Sequence, residues 1–198
     1  MRLDRPRRDP HLTRMKASDA DILMIPGLGN VDADHWLARW QAKLSTARLI
    51  QDEHWDREST SDLTGTTLAA IEAAERPVVL VAHSTGVVSA IHAAPLAQKK
   101  IAGAFLVSPP QLEGNGKIAR KLRRFGAYPR EPLPFPSIVV ASRNDPHGSH
   151  EHAGDLANAW GSLFVDAGES GHIDGNSGHG PWPEGSMVFA RFIAQLKP

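Results

Sequence analysis

The stretch from Val78 to Ala90 constrains this chain more than any other. Val78, Val79, Leu80, Val81 and Ala82 make a short apolar, β-branched run of the kind buried on both faces of a parallel sheet. Val87, Val88, Ala90, Ile91 and Ala94, beyond Gly86, read as a buried helix. Ser84 stands at the turn between them, in Ala82-His83-Ser84-Thr85-Gly86, which is G-x-S-x-G with Ala in the first glycine position. A strand that turns this tightly into a helix brings two backbones together, so only small residues fit two before and two after the apex. Ala82 and Gly86 meet that demand. Such a turn projects the serine Oγ and surrounds it with N–H groups at a helix N-terminus, where a developing oxyanion is favoured. A plain packing junction between strand and helix would show the same pattern, so partners for Ser84 must decide.

The rest of the chain alternates strand and helix signals. Strands are predicted over 21–25, 48–51, 78–83, 102–108, 137–142 and 163–165. The first is stopped by Pro26-Gly27-Leu28-Gly29-Asn30 and followed by a helix capped by Asp32 or Asp34, with Trp36, Leu37, Trp40 and Leu44 at helical spacing. Helices are also predicted over 61–75, with Ser61 or Asp62 near the cap, over 150–160, and over 183–197, with Phe189, Phe192, Ile193 and Leu196 inward. Alternation of this kind implies an α/β fold: a mostly parallel central sheet of about six strands with helices on both faces, a three-layer sandwich whose ligands bind at the carboxyl ends of the strands. Residues 111–136 are the irregular part, basic over 117–124 and then Pro-rich. They are expected to be a solvated surface helix and loop, or a short cap over the site.

Composition narrows the function. The 22 basic and 22 acidic residues cancel, so no global field points to nucleic acid or an anionic membrane. The absence of Cys excludes a disulfide framework, a thiol nucleophile and Cys-ligated zinc, and a cytoplasmic location is the simplest expectation. No apolar run approaches the ~20 residues that span a bilayer. Residues 1–18 are expected to form a flexible arm, with Met15 as a second candidate start, and residues 19–198 a single domain.

A serine hydroxyl is a weak nucleophile until a base takes its proton, and the base needs an acid to hold its tautomer. With a G-x-S-x-G turn those partners follow in the order Ser, Asp or Glu, His, on loops after strands. Asp145 lies just after the 137–142 strand, in Asn144-Asp145-Pro146, and His172 lies after the last strand in a glycine-rich loop. Asp155 and Asp174 compete as the acid, but Asp155 falls in a helix pattern and Asp174 beyond the last-strand turn; Asp145 could also be only a turn or capping residue. The backbone N–H groups of Thr85 and Leu28 are the candidates for holding an oxyanion. Pro26-Gly27-Leu28-Gly29 as a phosphate loop is the rival, weakened by the lack of a Walker Lys or Ser/Thr and of a third glycine. Asp145 with His147, His150 and His152 could be read as a metal cluster, but His150 and His152 are two apart and fall on different sides of a helix. His83, Trp36, Trp55, Phe135 and Trp182 are candidates for a substrate pocket, for which core packing is an equally good account of the aromatic residues.

From about Asp21 onward the chain resembles the small serine hydrolases of the α/β-hydrolase superfamily grouped with retinoblastoma-binding protein 9 and the bacterial YdeN proteins. The resemblance rests on Pro26-Gly27-Leu28-Gly29-Asn30 with His35-Trp36, on His83-Ser84-Thr85-Gly86, on Pro132-Leu133-Pro134-Phe135-Pro136-Ser137, on Ser142-Arg143-Asn144-Asp145-Pro146, and on Gly171-His172-Ile173 with Ser177-Gly178 and Trp182-Pro183-Glu184-Gly185. It implies an α/β-hydrolase fold with a minimal cap and places the family's catalytic Ser, Asp and His on Ser84, Asp145 and His172. Asp174-Gly175-Asn176 departs from the Asn and Glu common in bacterial relatives. The L-x-C-x-E segment tied to retinoblastoma binding needs a Cys, which argues against that partner here.

The expected function is hydrolysis of small carboxylic esters or amides through an acyl-enzyme on Ser84, with no metal or organic cofactor. The alternative is a non-catalytic protein-binding module on the same scaffold, using the Pro-rich cap or the basic 117–124 segment.

Overall fold

The computed structural model describes residues 14–28, 31–50, 63–113, 120, 122–123 and 126–197. Six strands form one wholly parallel sheet: β1 (Asp21–Ile25), β2 (Ala47–Leu49), β3 (Val78–His83), β4 (Ile101–Val107), β5 (Ser137–Ala141) and β6 (Leu163–Asp166), in the order β2-β1-β3-β4-β5-β6. Five α-helices are described: α1 (Trp36–Lys43), α2 (Leu63–Glu72), α3 (Thr85–Ala93), α4 (His150–Trp160) and α5 (Pro183–Ile193). The expected three-layer α/β fold is therefore present.

The two-residue period of the strands sorts the core. Leu23 and Ile25 of β1, Leu80 and Ala82 of β3 and Leu106 of β4 face one layer, filled by Leu63 and Ile71 of α2, Val87, Val88 and Ile91 of α3, and Leu156 and Trp160 of α4. Ile22, Met24, Val79, Val81, Phe105 and Val107 face the other, where Trp36, Leu37 and Trp40 of α1 meet Phe189, Phe192 and Ile193 of α5. Trp36 lies edge-on to Trp40 and to Trp182, with ring centroids 4.8 and 4.9 Å apart, geometry that aromatic quadrupoles favour.

Several boundaries differ from the sequence reading, each for a local reason. The cap of α1 is His35, whose Nδ1 accepts from the Leu37 N–H at 3.1 Å. Asp32 instead closes a turn before the helix, its Oδ1 accepting from the N–H groups of Asp34 and His35, and Asp34 pairs with Arg39. α2 stops at Glu72 rather than 75, because the Asp21 carboxylate takes the N–H groups of Glu75 and Arg76 at 3.0 Å and turns the chain into β3. α5 stops at Ile193, the chain tightening so that Leu196 is buried and its carbonyl accepts from the Met15 N–H. Met15, read as part of the arm, is 2% exposed in the core. The proposed caps Ser61 and Asp62, pocket residue Trp55, residues 1–13 of the arm and most of the basic 117–124 run lie outside the described residues.

From β1 the strand order runs outward one way to β2 and, from β3, the other way to β6. The crevice at the carboxyl ends of β1 and β3 is the topological switch point, where open parallel sheets bind ligands.

Candidate active site

β3 delivers Ser84 into that crevice. Gly86 explains how closely: a Cβ there would sit 2.2 Å from the Ile25 carbonyl oxygen and 2.7 Å from that of Pro26, so α3 starts against the end of β1. Ser84 itself takes φ 54° and ψ −123°, a region most side chains avoid, and its N–H donates to the Val107 carbonyl of β4 at 2.9 Å. The turn after β1 presses on the same residue, since a Cβ on Gly27 would meet the Ser84 Cβ at 2.9 Å. Leu28, next in that turn, lines the cavity in front of Ser84, and Thr85 opens α3, where its N–H has no intrahelical acceptor.

The loops after β5 and β6 bring the other two groups. Ser142 Oγ accepts from the Ser170 N–H at 2.8 Å, Asn144 Oδ1 accepts from the Gly171 N–H at 2.7 Å, and the Arg143 N–H donates to Gly168 O at 2.7 Å. The loop carrying His172 is thus stitched to the loop carrying Asp145. His172 Nδ1 lies 2.9 Å from both carboxylate oxygens of Asp145, and His172 Nε2 lies 2.8 Å from Ser84 Oγ. The His147 N–H donates to Asp145 Oδ1 at 2.9 Å, and the side chains of His172 and Asp145 are 10% and 3% exposed. The structure so brings Ser84, His172 and Asp145 into one hydrogen-bonded line, and Asp155 and Asp174 stay out of it.

Two core side chains hold the backbone around His172. Trp36 Nε1–H donates to Ile173 O and His83 Nε2 donates to His172 O, both at 2.9 Å. A carbonyl only accepts, so the proton of His83 resides on Nε2. Burial, then the neighbouring imidazoles of His172 and His35, hold His83 well below the ordinary imidazole pKa. His35, half-buried, is also lowered by burial against the pull of Asp174 and Asp32, and His147 is lowered by burial and His172. The folded chain therefore resists protons that the unfolded chain binds near the ordinary value of 6.5. Stability should be full above that value and fall as pH drops below it. A thermal midpoint clearly lower at about pH 5 than at about pH 7.5 is the expected result, and a flat profile would contradict the burial of these neutral imidazoles.

A cavity of about 550 Å³ opens in front of Ser84 and His172. Leu28 and His83 line it, but the expected aromatic lining does not: Trp36 and Trp182 are buried in the core under α1 and α5, and Phe135 packs on the α4 side of the sheet. The cavity instead presents Asp32, His35, Asp174 and Asn176. Sequence reasoning missed these as site residues. His35 enters only with Trp36 in the family resemblance, Asp32 only as a helix cap, and Asp174 and Asn176 as a rival acid and a departure from the family pattern. In the structure Asp174 caps a short turn through Ser177. Burial raises its pKa, but the Ser177 hydrogen bonds and the field of His172 and His83 outweigh that and hold it below the usual carboxylate value. The three histidines of the candidate metal cluster disperse: His147 lies edge-on to His172, His150 is 3.5 Å from Asp166, and His152 packs near Tyr128. Among the described residues no helix is long and apolar enough to cross a membrane.

Comparison with known proteins bears on this geometry. A family model described as serine hydrolase matches residues 22–191. Among solved structures, a YdeN-like hydrolase from Pectobacterium atrosepticum is 30% identical, with a TM-score of 0.80, over 92% of this chain and 95% of that one. The ydeN gene product of B. subtilis is 17% identical with a TM-score of 0.72, over 89% of this chain and 100% of that one. A thermophilic esterase from Thermogutta terrifontis, 13% identical with a TM-score of 0.63 over 89% of this chain and 91% of that one, shares the fold. None of the curated proteins matches. Most of the chain fits the family model and the YdeN-like structure alike, so the chain belongs to the serine hydrolase family, as a small YdeN-type member.

Proposed function

We propose that this hydrolase cleaves small carboxylic esters or amides through an acyl-enzyme on Ser84. The observation that carries the reading is the line Asp145–His172–Ser84, closed at 2.9 and 2.8 Å on a serine held at φ 54°. Ser84 Oγ attacks the scissile carbonyl carbon while His172 Nε2 takes its proton. The new C–O bond leaves a tetrahedral oxyanion, held by the N–H groups of Thr85 and Leu28. Its collapse breaks the bond to the leaving alkoxide or amine, which receives the proton from His172 Nε2. Water then repeats the sequence in reverse: His172 takes a proton from it, the hydroxide attacks the acyl carbon, and Ser84 Oγ leaves with that proton as the acid is released. Asp145 keeps the His172 proton on Nδ1 between steps, so that Nε2 is free to accept, and stabilises the imidazolium that forms.

A serine activated in this way reacts with fluorophosphonates, whose phosphorus mimics the tetrahedral carbon. Labelling of the wild-type protein, with the adduct mapped to Ser84 by mass spectrometry and lost in Ser84→Ala, is the expected result. A well-folded wild type that takes no label would overturn the proposal in favour of an idle site on a hydrolase scaffold.

A further inference from the structure

The polar wall of the cavity carries information about the substrate. His35 lines it beside Ser84 and His172, and its ring nitrogens have different duties. Nδ1 accepts the Leu37 N–H that caps α1, so its lone pair is used and the ring proton sits on Nε2. No described residue bonds to Nε2, which leaves a neutral N–H donor at the cavity. Opposite chemistry is supplied by two carboxylates. Asp32 gives Oδ1 to the N–H groups of Asp34 and His35, and Asp174 gives Oδ1 to the N–H and hydroxyl of Ser177. The Oδ2 of each has no bonded partner among the described residues and remains an acceptor. Asp34, the third carboxylate in the wall, is matched by Arg39.

From this arrangement, and resting on the esterase reading above, we infer that His35 is a specificity residue and that the hydrolase acts on esters whose alcohol carries further hydroxyl groups, that is, polyol esters. A hydroxyl is the uncharged group that accepts from the His35 N–H and donates to a carboxylate at the same time. A quaternary ammonium group offers the His35 N–H no acceptor and sets positive charge against that donor, and an alkyl chain would leave His35 and both carboxylates without partners.

Three acetates isolate this subsite: glycerol monoacetate, propyl acetate and acetylcholine. All give the same acetyl group on Ser84, so differences in kcat/KM report recognition of the alcohol during acylation. The wild type should favour glycerol monoacetate over propyl acetate by about tenfold, the worth of one or two hydrogen bonds. Two variants separate recognition from folding, since Asn places its polar atoms near the position of Nδ1 and Gln near that of Nε2. His35→Asn should keep the helix cap and the thermal midpoint yet bring the ratio of the two esters toward one, mainly through KM. His35→Gln should lower the thermal midpoint yet retain the preference. Equal use of glycerol and propyl esters by a wild type that labels with fluorophosphonate would overturn the inference and leave the esterase reading standing. So would a preference for acetylcholine, or a His35→Asn ratio equal to that of the wild type. Failure of the wild type to label would remove both.

Discussion

Replacing Asp145 with Asn is expected to leave the fold intact and to lower kcat for ester hydrolysis by about 10⁴-fold. Asp145 Oδ1 accepts the His147 N–H, and an Asn carbonyl oxygen can keep that bond. The amide NH₂ then stands where Oδ2 stood, 2.9 Å from His172 Nδ1. That NH₂ faces Nδ1 at contact distance, and the carbonyl oxygen, though also 2.9 Å away, is shared with the His147 N–H, so the tautomer with the proton on Nε2 is favoured. Nε2 would then donate to Ser84 Oγ instead of accepting from it, and the serine keeps its proton. The measurement is kcat for p-nitrophenyl acetate beside the thermal midpoint. A kcat near the wild-type value would remove Asp145 from the proposed mechanism, whereas a collapsed midpoint would call for Asp145→Glu as a second variant.

Gly86→Ala should have the largest effect on stability. In a helix interior an exposed Gly→Ala change stabilises by about 1 kcal/mol. Here the sign reverses, because the added methyl would meet the carbonyl oxygens of Ile25 and Pro26 at 2.2 and 2.7 Å, backbone atoms at the end of β1, which pairs with β3, and in the turn just after it. Relief requires α3 to move away from β1, which opens the layer formed by Ile25, Ala82, Val87 and Val88. The loss should reach or exceed the upper range of overpacked cores, about 3 kcal/mol, read as a large drop in denaturation midpoint or as insoluble protein. A midpoint at or above that of the wild type would mean that the elbow is looser than described.

What could be read beforehand follows the range of the forces involved. The strands are written in short β-branched runs, and a period of two places Leu23 and Met24 on opposite faces without knowledge of any neighbour. Ser84, Asp145 and His172 stand at strand ends in a fixed order, which is also local information. The wall of the cavity is different. Asp32 and Asp174 are brought to one cavity only by tertiary packing, and their spacing in the chain carries no trace of it. Trp36 and Trp182 failed as pocket residues because an indole beside a functional loop can face either way. Trp36 faces inward, spending its N–H on the carbonyl of Ile173. The cap of α1 was misjudged because propensity favours Asp, while Asp32 found a better use in the preceding turn and left His35 to close the helix.

The wholly parallel sheet also sets the order in which the protein acquires its chemistry during synthesis. No parallel neighbour can be reached by a tight turn, so each pairing waits for an intervening crossover to be made. Ser84 and His172 are separated by 88 residues, and the loop carrying His172 is fastened both to the loop that follows β5 and to Trp36 and His83 from the first half of the chain. On the proposed mechanism, a nascent chain that has exposed the serine has no base to activate it, and its hydroxyl is as inert as any other alcohol. In the proposed mechanism, reactivity arrives with the docking of the last strand and its loop, so partly made or partly unfolded copies would carry an unactivated serine. On that mechanism, the same long-range closure that makes the topology slow to fold would act as a safeguard on when the hydrolase becomes live.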